Sequence, residues 1–309
     1  MPLGRPRALR PGDLIGVAAP AGTVDRERLS AGVAELERLG FRVRVSPGIS
    51  DREFFAAGTA SRRARELTAL FTDAEVKGIV CARGGAGALG VLPLLDPERL
   101  RAHPKVFVGC SDITFLHLLL GRLGQVSVHG PMVAGDLADG SYDRASLAHV
   151  LRGEGPPYES GGEDLMPLRP GRGVGELRGG CLAIVASAAG TPWALEPSAE
   201  GTVLFLEDVH ERPYRIDRML RQLRLSGAFE GLRGIVFGDM RGCAAKQDEG
   251  YALEAVILEA LDGIEVPIAL GLSSGHTANP AISLPLGVRA SLECDAEQAR
   301  FEVLEPAVE

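Results

Sequence analysis

Aromatic residues make up only 5% of this 309-residue chain, with one tryptophan, Trp193. That leaves little material for a platform on which nucleobases stack. Positive charge is not in excess either. Lys and Arg number 33 against 41 Asp and Glu, a net charge of −8, and no basic stripe runs along the chain. A nucleic-acid partner is therefore not expected. Arg62, Arg63 and Arg65 stand beside Glu66 on an expected helix face and read as a solvated charge cluster. The five cysteines (Cys81, Cys110, Cys181, Cys243, Cys294) lie far apart without a C-x-x-C pair. An odd number in apolar surroundings reads as buried, reduced thiols, which points to the cytoplasm. Six histidines form no H-E-x-x-H or other close ligand pair, so no metal is expected. No apolar stretch approaches the ~20 residues of a membrane span. The N-terminal GRPRALRPGDLIGVAAPAG has the flavour of a secretion signal, but Asp13 interrupts it and the apolar run from Leu14 to Ala19 is short. It reads as a first buried strand.

What is present is an alternation. Apolar runs at 14–19, 41–45, 76–82, 106–108 and 125–129 read as strands, and helical spacing appears at 26–39, 61–71 and 112–123. This predicts an α/β domain over 1–135, a flavodoxin- or Rossmann-like parallel sheet covered on both faces. The loops Ala19 to Gly22, Arg83 to Gly87 and Gly109 to Asp112 would then share the C-terminal edge of the sheet, where ligands of such folds bind. Residues 136–172 are rich in Gly, Asp, Ser, Glu and Pro and read as a linker with one helical patch near 145–151. Residues 173–309 mix short β-rich runs with helices and predict a second, barrel-like α+β domain.

Three stretches carry candidate chemistry. In Gly109-Cys110-Ser111-Asp112 a small hydroxyl sits on a strand-to-helix turn. It reads either as a helix cap or as an exposed nucleophile with backbone N–H groups nearby. Glu207 and Asp208 end an apolar strand, where a carboxylate either caps a turn or orients a catalytic base. His276 lies in the loop Gly271-Leu272-Ser273-Ser274-Gly275-His276, either solvated or catalytic. Together they are the parts of a Ser–His–acid triad.

The chain resembles the LD-carboxypeptidase family, the serine peptidases that include murein tetrapeptide carboxypeptidases and microcin C immunity peptidases. The resemblance runs nearly end to end. It rests on Pro11-Gly12-Asp13-Leu14-Ile15-Gly16, Ala19-Pro20-Ala21-Gly22, Arg83-Gly84-Gly85 with Gly87, Gly109 with Ser111-Asp112-Ile113-Thr114, and His129-Gly130-Pro131-Met132. It continues through Leu177 with Gly179-Gly180, Gly190-Thr191-Pro192-Trp193, Glu207-Asp208-Val209 with Pro213-Tyr214-Arg215-Ile216-Asp217-Arg218, Gly275-His276, and Pro285 with Gly287.

The resemblance implies Ser111 as nucleophile, Glu207 as acid and His276 as base, with the site at the interface of the two domains. It also implies an oxyanion hole from backbone N–H groups near Gly85 and at Asp112, although the Arg83 loop also fits a plain tight turn. Arg83 would hold a substrate carboxylate or make a structural salt bridge. Tyr214 and Asp217 fit a pocket wall or a solvated helix start. Trp193 fits packing near the site or a ligand platform. Cys110 is expected to point into the sheet and not to compete with Ser111.

Two positions depart from the family pattern: Ala86 stands where a tyrosine is usual and Cys181 where an asparagine is usual. Both alter the expected pocket wall and leave specificity open, and Ala86 joins Arg83 and Tyr214 as a candidate substrate-binding residue. The implied substrate is a muropeptide, cleaved between an L-centre diamino acid and terminal D-Ala in cell-wall recycling by a cytoplasmic homodimer without cofactor. The paucity of aromatics favours that peptide over the peptidyl or aminoacyl nucleotides of the immunity branch. A ligand-binding protein without catalysis is a further alternative, opposed by the presence of all three triad residues.

Overall fold

The computed structural model describes residues 4–155, 158–161, 165–246 and 248–309, and the chain divides into two units. The first comprises Met1–Pro156, Asn279–Gly287 and Pro306–Glu309. Its strands β1 (Leu14–Ala18), β2 (Arg42–Val45), β3 (Val76–Cys81), β4 (Val106–Gly109) and β5 (Ser127–His129) pair in parallel in the order 2-1-3-4-5. This is the flavodoxin-like order, and its switch point falls between β1 and β3. A late strand, Leu284–Leu286, adds antiparallel to β5.

Helices α1 (Arg26–Arg38), α2 (Ala60–Thr72), α3 (Pro97–Ala102) and α4 (Thr114–Arg122) connect these strands. α3 lies outside the helical spacings read from the sequence, and the first three helices start on capping side chains. Asp25, Thr59 and Asp96 each accept a hydrogen bond from a backbone N–H of the first turn, a contribution of about 1 kcal/mol apiece. The core between sheet and helices contains Phe71 and Phe107, stacked at 5.8 Å.

Three expectations need correction. The arginine cluster on α2 is not solvated as a whole. Arg65 is exposed, but Arg62 is half-buried and paired with Glu66, and Arg63 is buried. The stretch 136–172, expected as a linker, carries α5 (Asp136–Asp139) and α6 (Arg144–Arg152) in the first unit. It also carries β6 (Glu159–Gly161) and β7 (Met166–Arg169) in the second, while its residues 156–157 and 162–164 lie outside the described residues. Residues 279–287 and 306–309, expected in the second domain, belong to the first unit. There the backbone of Ala8 and Glu309 and that of Asp143 and Ala281 hydrogen-bond. Such pairings join residues more than a hundred positions apart and leave no local signal.

The second unit, Pro157–Ala278 with Val288–Glu305, is an eight-stranded mixed sheet. Its centre is four parallel strands, β8 (Gly171–Cys181), β9 (Thr202–Glu207), β10 (Leu232–Gly238) and β11 (Ile268–Leu272). Helices α7 (Leu182–Ala188), α8 (Pro213–Leu225) and α9 (Leu253–Ala260) follow β8, β9 and β10. With Leu284–Leu286 taken as β12, strands β13 (Arg289–Cys294) and β14 (Ala299–Val303) continue antiparallel from β8, and β7 closes the far side. β13 also meets β10, β11 and β7, which curls the sheet into a nearly closed, barrel-like form. Phe205 of β9, Phe237 of β10 and Phe301 of β14 are fully buried. Among the described residues no helix is long and apolar enough to cross a membrane.

Candidate active site

In the first unit the chain leaves β4 at Gly109, passes an extended Cys110 and turns at Ser111. Ser111 has φ 59°, the left-handed region that costs a side-chain-bearing residue roughly 1–2 kcal/mol. The turn Ser111–Ile113 is a 3-10 helix that runs into α4. Ser111 does not cap that helix, because its N-cap is Ile113, without a side-chain cap bond. The cap reading therefore fails, and a strained hydroxyl remains at the end of a buried strand. Cys110 is buried, as expected. Behind the turn, buried His117 of α4 bonds Gly109 O through Nε2 at 2.8 Å and Ser127 Oγ through Nδ1 at 2.9 Å. Burial pulls its pKa down to about 3, with His129 nearby adding to the effect. The ring is thus neutral at pH 7, and donation to the carbonyl fixes its tautomer.

The loop after β3 lies directly against this turn. A Cβ added to Gly84 would stand 2.8 Å from Ser111 Cβ, 3.0 Å from its Oγ and 3.3 Å from the Asp112 nitrogen. Only glycine permits that approach. The Gly22 N–H donates to Gly84 O at 2.8 Å, so the loops after β1 and β3 meet at the switch point. Gly85 and Ala86 are exposed. Arg83 is exposed too, and its Nη1 donates to Thr23 O at 2.8 Å. The Asp112 carboxylate is buried and accepts from Ala88 N–H at 2.7 Å.

In the second unit, β9 delivers Glu207 and Asp208 to different tasks. Asp208 Oδ2 accepts from Ala183 N–H in the first turn of α7 at 2.8 Å, and its Oδ1 from Val209 N–H at 2.9 Å. Burial, the largest influence, raises its pKa to about 6. This is the capping carboxylate. Glu207, 1% exposed, instead accepts from His276 twice on Oε2: from Nδ1 at 2.8 Å and from the backbone N–H at 2.9 Å. Gly275 makes room for this pair. It has φ 79°, and a Cβ there would lie 2.5 Å from the Glu207 carboxyl carbon. Asp239, after β10, accepts from Thr277 Oγ1 and, at 3.3 Å, from Ala278 N–H, which anchors the loop just past His276. Asp239 was not singled out in the sequence, although Gly238-Asp239 at a strand end was the available signal.

Cys181 is paired in register with Glu207 across β8 and β9, and burial, reinforced by Glu207 and Asp208, raises its thiol pKa well above the ordinary value. Tyr214 is exposed at the start of α8, with the Arg218 guanidinium 5.7 Å over its ring. It lines an open groove with Gly190, Asp217 and Gln222. Asp217 pairs with Arg221 at 2.8 Å. Trp193 is half-buried, and its backbone N–H donates to Thr191 Oγ1 at 3.2 Å. Among the described residues no group of three or more His, Cys, Asp or Glu could hold a metal ion.

A hydroxyl on a strained strand–helix turn and an imidazole oriented by a buried carboxylate are the parts from which serine peptidases are built. Residues 15–130 match the LD-carboxypeptidase N-terminal domain and residues 174–292 the LD-carboxypeptidase C-terminal domain, and the chain belongs to that family of serine-type peptidases. It is 35% identical over 303 residues to a probable murein peptide carboxypeptidase of Bacillus subtilis, covering 96% of this chain and 94% of that one. A microcin C7 self-immunity protein of Escherichia coli is 27% identical over 320 residues, covering 92% and 91%. The crystal structure of muramoyltetrapeptide carboxypeptidase from Oxalobacter formigenes superposes with a TM-score of 0.82 at 31% identity, covering 95% of this chain and 99% of that one.

Proposed function

We propose that this chain is a serine carboxypeptidase that hydrolyses the bond between the L-centre diamino acid and the terminal D-alanine of murein tetrapeptides, acting in cell-wall recycling as a cytoplasmic homodimer. The observation that carries the reading is the Glu207–His276 pair, at 2.8 Å with the carboxylate buried. The Nδ1–H donates to Glu207, so the neutral ring presents Nε2 as the basic nitrogen. In the proposed reaction His276 takes the proton of Ser111 as Oγ attacks the peptide carbonyl. Glu207 stabilises the imidazolium that forms. The N–H groups of Gly85 and Asp112 hold the oxyanion of the tetrahedral intermediate. His276 then protonates the leaving amine of D-alanine, and water, deprotonated in turn by His276, releases the acyl group from Ser111. Arg83 offers a guanidinium for the terminal carboxylate of the substrate. Tyr214 contributes to the pocket wall.

Similarity to the microcin self-immunity protein supports a second reading, hydrolysis of an aminoacyl nucleotide. The two are separated by mass spectrometry of products from a stem tetrapeptide and an aminoacyl sulfamoyl adenylate incubated side by side. Release of D-alanine at a high rate with the adenylate left intact is the expected result. The opposite pattern would replace the first reading by the second.

A further inference from the structure

We propose that Arg63 and Asp112 clamp the Gly87–Ala88 peptide from its two ends, and that Arg63 is thereby a positioning residue for the oxyanion hole. The inference rests on the assignment of Ser111 as nucleophile and of the Gly85 and Asp112 N–H groups as oxyanion donors.

Arg63 is 5% exposed, an unusual state for an arginine. Its Nη1 donates to Gly87 O at 2.8 Å and to Pro20 O, and its Nε donates to Gly58 O at 3.0 Å. These three carbonyls belong to three different loops: after β1, before α2 and after β3. Asp112, 4% exposed, accepts from Ala88 N–H at 2.7 Å. Gly87 O and Ala88 N–H are the two ends of a single peptide group. A buried cation therefore sits on its oxygen and a buried anion on its hydrogen, and the peptide dipole links them.

Two such charges are costly to bury unless each is compensated and hydrogen-bonded. Burial lowers the pKa of Arg63 and raises that of Asp112, and each group opposes the shift of the other. Gly87 adopts φ 121°, which favours glycine, and a Cβ there would stand a tight 3.2 Å from Arg63 Nη1, so the guanidinium packs closely against this backbone.

The clamp joins the two halves of the proposed oxyanion hole. Gly85 lies two residues before the clamped peptide, and Asp112 supplies both the clamping carboxylate and the second donor. Interactions aimed at the oxyanion act in the transition state and not on bound substrate. Loss of the clamp is therefore read in kcat rather than KM.

The test uses the full chain with Arg63→Met, Arg63→Lys, Asp112→Asn and the double variant Arg63→Met/Asp112→Asn. Turnover of the stem tetrapeptide, the rate of Ser111 labelling by a fluorophosphonate, and thermal unfolding are measured on each. Arg63→Met is expected to lower kcat and the labelling rate by about 50-fold with KM within about threefold, a positioning loss somewhat smaller than the roughly 10²- to 10³-fold that deletion of an oxyanion donor itself costs. Asp112→Asn is expected to lower both by about 10-fold. The double variant is expected to be no worse than Arg63→Met, because removing both charges leaves neither uncompensated.

Wild-type kcat and labelling in a folded Arg63→Met, whatever its melting temperature, would reduce Arg63 to a structural role and overturn the proposal. So would effects that multiply in the double variant. If Arg63→Met does not fold, the double variant decides, since it removes the clamp without leaving a buried charge uncompensated. A drop of about tenfold or more in its kcat at constant KM supports the clamp, and wild-type kcat overturns it. Arg63→Lys, which keeps a cation for the carbonyls, is expected to lose less kcat than either, and a loss as large as the double variant's would count against the clamp. Labelling reads the clamp even if the tetrapeptide is not the substrate. Undiminished labelling and turnover in Ser111→Ala would instead overturn the nucleophile assignment on which the clamp rests.

Discussion

One carboxylate oxygen, Glu207 Oε2, receives both the Nδ1–H and the backbone N–H of His276, at 2.8 and 2.9 Å. The ring and the peptide that carries it are therefore aligned on the same buried atom. A glutamine at 207 keeps an amide oxygen for these donors but loses the charge that stabilises an imidazolium. Glu207→Gln is expected to lower kcat by roughly 10- to 100-fold less than loss of the serine does. Steady-state kinetics on both variants check this, and equal losses would mean that Glu207 does more than orient and stabilise.

Ser111→Ala is expected to lower turnover by about 10⁴-fold while leaving the fold intact and substrate affinity, measured by calorimetry, nearly unchanged. Ser111→Gly should do the same to turnover and also raise stability by about 1 kcal/mol. It relieves the left-handed strain at φ 59°, less the entropy that glycine adds to the unfolded chain. Urea denaturation of the two variants measures the difference, and a glycine variant less stable than the alanine one would show that the turn stores no strain.

Gly275→Ala places a methyl group 2.5 Å from the Glu207 carboxyl carbon. The carboxylate or the loop must shift, and a misplacement near 1 Å costs about 100-fold in rate. The expected signature is a fall in kcat of that order with cooperative unfolding retained. A variant with wild-type kcat would mean that the pair tolerates displacement.

Acid should weaken the first unit through His117. Its folded pKa, about 3, lies below the ordinary value of 6.5. Above pH 6.5 the ring is neutral in both states and its contribution is intact. Below that, the unfolded chain takes up a proton that the folded one refuses, so stability falls as pH drops from 6.5 toward 3, by up to ~1.4 kcal/mol per pH unit. Asp208 opposes this in the second unit. Its raised pKa, about 6, favours the folded state on acidification between 6 and 3.8. Urea midpoints from pH 7 to 4 should decline less steeply for His117→Gln than for the parent chain, and parallel curves would exclude His117.

Chelation is expected to leave hydrolysis unchanged, since no step of the proposed reaction uses a metal. Activity lost in EDTA and restored by zinc would replace the serine mechanism.

The sequence by itself determined the local features. Apolar runs alternating with helical spacing set a parallel sheet, while the short α3 was missed because its six residues are too few to show a helical period; its start is fixed by the Asp96 side chain through bonds made within three residues. Ser111, Glu207 and His276 stood out because glycines and strand ends frame them. Tertiary structure alone decided what depends on distant partners. Asp208 became a cap and Glu207 the partner of His276 because β9 ends between α7 and the His276 loop. Arg63, indistinguishable in sequence from its exposed neighbour Arg65, was buried because three loops turned their carbonyls toward it. Residues 279–287 joined the first unit because β5 offered an open strand edge, and an unpaired edge is filled by whichever segment the folded chain brings to it.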